Sequence, residues 1–177
     1  MKKVIVIGTD HRIQQSIARD DANKTWIPRT SPQYSKLINY CVTKLGAQVI
    51  LEEAAPEQEK IAPTICSGIA KEHGLVWEPI ALGTPALSDG LFDPPLQEAI
   101  LRNIRPELLA GIYDLAIQQV REDFMYSTTT QQLQKHDCVL VIVGFTHLGV
   151  LARRFEAAKI AVDAFSFTPL LIDQSKA

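Results

Sequence analysis

The chain has 177 residues, 46% of them hydrophobic and 21% charged, with a net charge of −2. That balance fits one globular domain over 1–177 with a sizeable core. It argues against a nucleic-acid or acidic-membrane partner, and no apolar run reaches transmembrane length.

In chain order, residues 3–7 (KVIVI) form a short β-branched run closed by Gly8, which predicts a buried strand. The basic start resembles that of a signal peptide, but this apolar run is far too short for an h-region, so cytoplasm is expected. "TSPQYSKLINYCVTKLG" predicts a helix, with Ser31 as N-cap, Pro32 in the first turn, a stripe of Leu37, Cys41 and Leu45, and Gly46 as the stop. Residues 47–53 (AQVILEE) predict a strand ending in two carboxylates, and roughly 57–73 a helix that Pro63 either kinks or starts. Residues 75–80 (LVWEPI) predict a third strand. The stretch 83–95 is rich in Gly, Pro and Asp and predicts a long loop.

Residues 95–104 and 106–135 predict helices. In the second, Leu108, Ile112, Leu115, Ala116 and Val120 share a face, and "STTT" at 127–130 is a candidate break. "CVLVIV" at 138–143 is the most strand-like run, followed by a helix over 148–158 with Leu148, Leu151 and Phe155 inward, and a last strand over 160–167. Strands alternate with helices, and the central strands are apolar on both faces. The expected architecture is an α/β three-layer sandwich with a mostly parallel sheet. Cys41, Cys66 and Cys138 are odd in number and scattered, as expected of buried, reduced thiols.

Ligands in parallel sheets sit outside the carboxyl ends of the strands, and three predicted ends carry polar chemistry. His11 follows the first strand through Gly8-Thr9-Asp10, Glu52 and Glu53 end the second, and His147 follows residues 138–143 through Gly144-Phe145-Thr146. With nine glycines and four histidines, chance placement yields about 0.2 G-x-x-H matches, and here there are two. In each, the glycine is expected to allow a tight turn. His73 and His136 precede strands and are expected at the surface. Two imidazoles and a carboxylate can hold a divalent ion with open positions, or act without metal as a base and its charge partner. Either role needs a neutral ring, which a nearby helix N-terminus would favour at His147. The dinucleotide fingerprint, the P-loop and the G-x-S-x-G elbow are missing, which disfavours a nucleotide-binding regulator or an α/β-hydrolase serine.

"GTDH" (8–11), "VILEE" (49–53), "REDFM" (121–125) and "GFTH" (144–147) occur in that order. In this the chain resembles the superfamily of TraB-like proteins, Tiki proteases, erythromycin-esterase-like enzymes and ChaN-type haem-iron proteins, over residues 4 to 151. The resemblance implies His11 and His147 as site histidines and Glu52 as site carboxylate, with Glu53, on the opposite side of the strand, as second choice. It also implies that Arg121 pairs with the carboxylate or an anionic substrate group. The expectation is a hydrolase of esterase or peptidase type, acting on a small-molecule or peptide substrate. His11, His147 and Glu52 would be ligands if a divalent metal (Mn, Co or Zn) takes part. The alternative is a non-catalytic protein that binds metal, haem or a small ligand at the same place.

Overall fold

The structure, a computed structural model, describes residues 2–10, 17–20, 25–28, 32–54, 63–81 and 106–167, with backbone alone at 17–20, 25–28 and 106–114. The expected long loop at 83–95 and the helix at 95–104 lie outside these residues, as do Ser31 and His11. The strands are β1 (Lys3–Thr9), β2 (Ile17–Asp20), β3 (Thr25–Pro28), β4 (Val49–Glu52), β5 (Val76–Pro79), β6 (Cys138–Gly144) and β7 (Ala161–Phe167). The helices are α1 (Pro32–Thr43), α2 (Ile65–His73), α3 (Pro106–Lys135) and α4 (Phe145–Ala157). No described helix is long and apolar enough to cross a membrane.

Five strands make one sheet in the order β5-β4-β6-β1-β7, and every pairing in it is parallel. The fold is therefore an α/β three-layer sandwich. Strand alternation divides the core in two. Ile5, Ile7, Ile50, Leu140 and Ile142 face Tyr34, Ile38 and Cys41 of α1 and Cys66 and Ile69 of α2. Val4, Val6, Val49, Leu51, Val139, Val141 and Val143 face Met125 and Leu133 of α3 and Leu151 and Phe155 of α4. All three cysteines are free and buried.

The differences from expectation have local causes. The hairpin β2–β3, antiparallel from Ile17↔Pro28 to Asp20↔Thr25, carries no run of alternating apolar residues long enough to announce it. On α1 the fully buried stripe is Tyr34, Ile38 and Cys41, while Leu37 and Leu45 pack at its margin. Helix α2 starts after Pro63, where Thr64 caps it by accepting from the Ser67 amide at 3.0 Å. Helix α3 runs unbroken through 127–130. There Thr129 Oγ1 donates to the Met125 carbonyl at 2.7 Å and Thr130 Oγ1 to the Ser127 carbonyl at 2.8 Å, so the hydroxyls turn back into the helix. Leu115, expected inward, is 72% exposed. The face of α3 that meets the sheet layer carries Glu122, Met125, Thr129 and Leu133 instead.

Neither glycine of the G-x-x-H pairs makes the expected turn. Gly8 lies inside β1, and Gly144 is the N-cap of α4 with φ −61 and ψ 151, ordinary extended backbone. Gly8 serves packing: a Cβ there would stand 2.9 Å from Leu148 Cβ and Cδ2. Its bareness lets α4 cross β1 at close range, which sets the depth of the helix that carries His147.

Candidate functional site

Strand β4 leads outward to β5, whereas β6 leads through α4, across β1, to β7. Adjacent strands whose connections diverge leave a crevice at their carboxyl ends. The ends of β4 and β6 are such a pair, and Glu52, Glu53, Gly144 and His147 all stand there.

The chain runs from β6 into α4 without a loop, because the helix begins at Phe145 rather than at 148. His147 therefore sits in the first turn of α4 and is 2% exposed. Its Nδ1 lies 3.1 Å from Glu122 Oε1 of α3, and its Nε2 lies 3.4 Å from Glu53 Oε1. Glu53 Oε2 accepts from the Gly144 amide at 2.8 Å, so this carboxylate also satisfies a free N–H at the start of α4.

A neutral imidazole has one N–H donor and one lone pair. Carboxylate oxygens at both ring nitrogens suit the doubly protonated ring, which donates on each side. The pKa of His147 is raised accordingly. Glu53 contributes most, burial opposes it, and Glu122 adds to the rise. This reverses the expectation that the helix N-terminus would keep the ring neutral. Two carboxylates, both buried, outweigh the partial charge of one helix end.

Glu52 is one residue from Glu53 and faces the other layer. It is fully buried. Its Oε2 accepts from Thr64 Oγ1 at 2.6 Å and from Trp77 Nε1 at 2.7 Å. Its Oε1 has no hydrogen-bond partner among the described residues. Burial pushes its pKa up to about 7, against the pull of the Thr64 and Trp77 donors and of Cys66. The Cys66 thiol lies 3.3 Å from the Tyr34 hydroxyl, and burial pushes both of those groups up as well. On the same face, Thr9 Oγ1 at the end of β1 is buried without a partner among the described residues.

The structure thus brings His147 to Glu53 and Glu122, and it places Glu52 on the opposite side of the sheet from them. Arg121 is half-buried on α3, where its neighbour Glu122 is turned to His147. Glu122 was not among the residues expected at the site. Its signal was in the 3.6-residue stripe Glu122, Met125, Thr129, Leu133, where a carboxylate heads an otherwise uncharged face. His73 is exposed and its Nε2 pairs with Asn39 Oδ1 at 2.8 Å.

Among the described residues, no group of three His, Cys, Asp or Glu side chains is arranged to hold a metal ion. The two carboxylates lie on opposite nitrogens of one ring and do not converge with it on a shared point. These residues therefore do not fit a metal centre by themselves. Comparison of the chain with protein-family models, with curated proteins and with solved structures finds no match.

Proposed function

We propose that the chain is a hydrolase of esterase or peptidase type, with its chemistry at the carboxyl ends of β4 and β6. The observation that carries this reading is the His147 imidazole held between Glu53 and Glu122 where the strand connections diverge. Acyl transfer to water needs a base for the attacking water and an acid for the leaving group. Glu52, with a pKa of about 7, faces the opposite side of the sheet, so proton exchange with a substrate falls to the His147 cluster. The proton of the attacking water passes to Glu53, and His147, as imidazolium, gives its Nε2 proton to the leaving group and takes one back from Glu53. Glu53 and Glu122 hold that ring in place. The resemblance assigns His11 and Arg121 to the same site. His11 lies outside the described residues, two positions beyond Thr9, which pairs with Gly144. Arg121 would orient an anionic substrate group.

A screen of nitrophenyl esters and short peptides tests this. A substrate turned over by the wild type should lose about 100-fold or more in kcat in Glu53→Gln and in His147→Gln. Absence of turnover across the screen would move the assignment to the second reading, a non-catalytic binder of metal, haem or a small ligand at this edge. The unpartnered, fully buried Glu52 Oε1 supports that reading. Its measure is thermal stability with added manganese, cobalt, zinc or haem, since a ligand that binds only the folded chain raises Tm. A metal effect that vanishes in His147→Ala would bring the metal back to this site.

A further inference from the structure

Helix α2 and the edge strand β5 enclose a groove of about 610 Å³, lined among others by Ser67, Gly68, Lys71, Leu75, Trp77 and Pro79. It lies on the α1/α2 side of the sheet, the side away from His147. We infer that this groove binds a small organic anion with an aromatic or aliphatic body, the body against Trp77 and Leu75 and the anionic group at Lys71.

Three features of the groove converge on that ligand. Its volume falls in the range of small-molecule sites, which combine apolar walls with a few placed polar groups. Among the described residues that line it, Lys71 is the charged one, and it is exposed in the last turn of α2. Its ammonium selects an anion. Trp77, the large apolar wall, is held in place, because its indole N–H donates to Glu52 at 2.7 Å. A wall already fixed loses little freedom when a ligand covers it.

The fourth feature is Gly68. A glycine inside a helix costs about 1 kcal/mol relative to alanine. Two reasons usually justify it, a positive φ or a close neighbour. Gly68 has neither: its φ is not in the left-handed region, and a Cβ there would meet nothing within 4 Å. Its bareness leaves open space on the α2 wall of the groove that Trp77 also lines. The groove is also one hydrogen bond from the buried carboxyl of Glu52 through Trp77, and two through Ser67 and Thr64. The inference nevertheless stands apart from hydrolysis and survives its absence.

Isothermal titration of the full chain with 3-phenylpropionate and with its uncharged counterpart, 3-phenylpropanol, tests it. The propionate should bind saturably in the millimolar range or tighter, about fivefold better than the alcohol, as expected for one exposed ion pair. Lys71→Gln should remove that preference and leave the alcohol unchanged. Gly68→Trp, checked for folding by circular dichroism, should abolish binding of both, while Gly68→Ala should keep it. The inference is overturned by a wild type with no saturable binding, by equal affinity for the two compounds, or by a folded Gly68→Trp that binds like the wild type. If Gly68→Trp does not fold, the wild-type comparison and Lys71→Gln decide the question by themselves.

Discussion

Glu52 and Glu53 are neighbours in the chain and opposites in the structure. Both are buried at the end of β4. Glu53 faces α3 and α4, where it meets an imidazole and the amide that opens a helix. Glu52 faces α2, where it meets a hydroxyl, an indole and a thiol but no described cation. Burial disfavours a carboxylate in either place; only a nearby positive charge offsets it fully. One side of the sheet therefore holds a charge cluster and the other a carboxyl that titrates near neutrality. A residue type alone says little about its protonation. The strand's alternation, which decides what each side chain meets, says most of it.

The sharpest way to break the comparison is to remove the cation. His147→Leu leaves Glu53 and Glu122 buried and facing an apolar side chain. The loss should be about 3–5 kcal/mol by urea denaturation at pH 6. A loss below about 1 kcal/mol would mean that the cluster is solvated and the contrast with Glu52 unfounded. The pH dependence follows from the raised folded-state pKa of His147. The stabilisation is fully present below the unfolded value, about 6.5, and is lost as pH rises through the higher folded value. The gap between wild type and His147→Gln should therefore narrow from pH 6 to pH 9.

On the other side of the sheet, Glu52→Gln should act in the opposite sense. The carboxyl rises from 4.5 to about 7 on folding. Below pH 4.5 both states are protonated and the group has no effect. Between 4.5 and 7 the folded chain retains a proton that the unfolded chain releases, so stability falls with pH and levels off above 7. At about 1.4 kcal/mol per pKa unit the cost is up to about 3 kcal/mol. Glutamine keeps an acceptor for Thr64 and Trp77 without the charge. Glu52→Gln should be more stable than wild type at pH 8.5 by about 1–3 kcal/mol and no more stable at pH 4.5. A variant less stable than wild type at both values would show that Glu52 has a counter-charge.

Two glycines sharpen the picture with smaller effects. Gly8→Ala sets a methyl group 2.9 Å from Leu148 and should cost about 1–3 kcal/mol through a shift of α4. Because α4 carries His147, the same variant should move the His147 ring resonances in an NMR spectrum. Gly68→Ala, facing open space, should instead raise stability by about 0.5–1 kcal/mol. A loss there would show that the groove wall has no room for a side chain.

Much of the sandwich is legible in the sequence alone. The β-branched runs at 3–7 and 138–143 predict strands buried on both faces, and the alternation with helical stretches predicts a parallel sheet. Both are local consequences of composition and periodicity. The interval from 12 to 30 carries no such pattern, so the β2–β3 hairpin is not legible in it. The 3.6-residue pattern of α3 pointed its apolar stripe at Leu115, because periodicity identifies a face without saying which neighbour it meets.

The site divides along the same line. Chain order alone shows that polar residues cluster at the carboxyl ends of β1, β4 and β6, because a strand that ends in carboxylates or leads to a histidine is written in the residues themselves. Which carboxylate meets which histidine was settled in three dimensions. Strand order places β4 beside β6. The direct passage of β6 into α4 puts His147 in the first helical turn, and the pleat sends Glu53, not Glu52, to that side. Glu122 arrives from a helix that starts far along the chain, and no spacing rule links it to His147. Local pattern determines what each element can bury. Only the packing of elements distant in sequence determines which buried charges find one another.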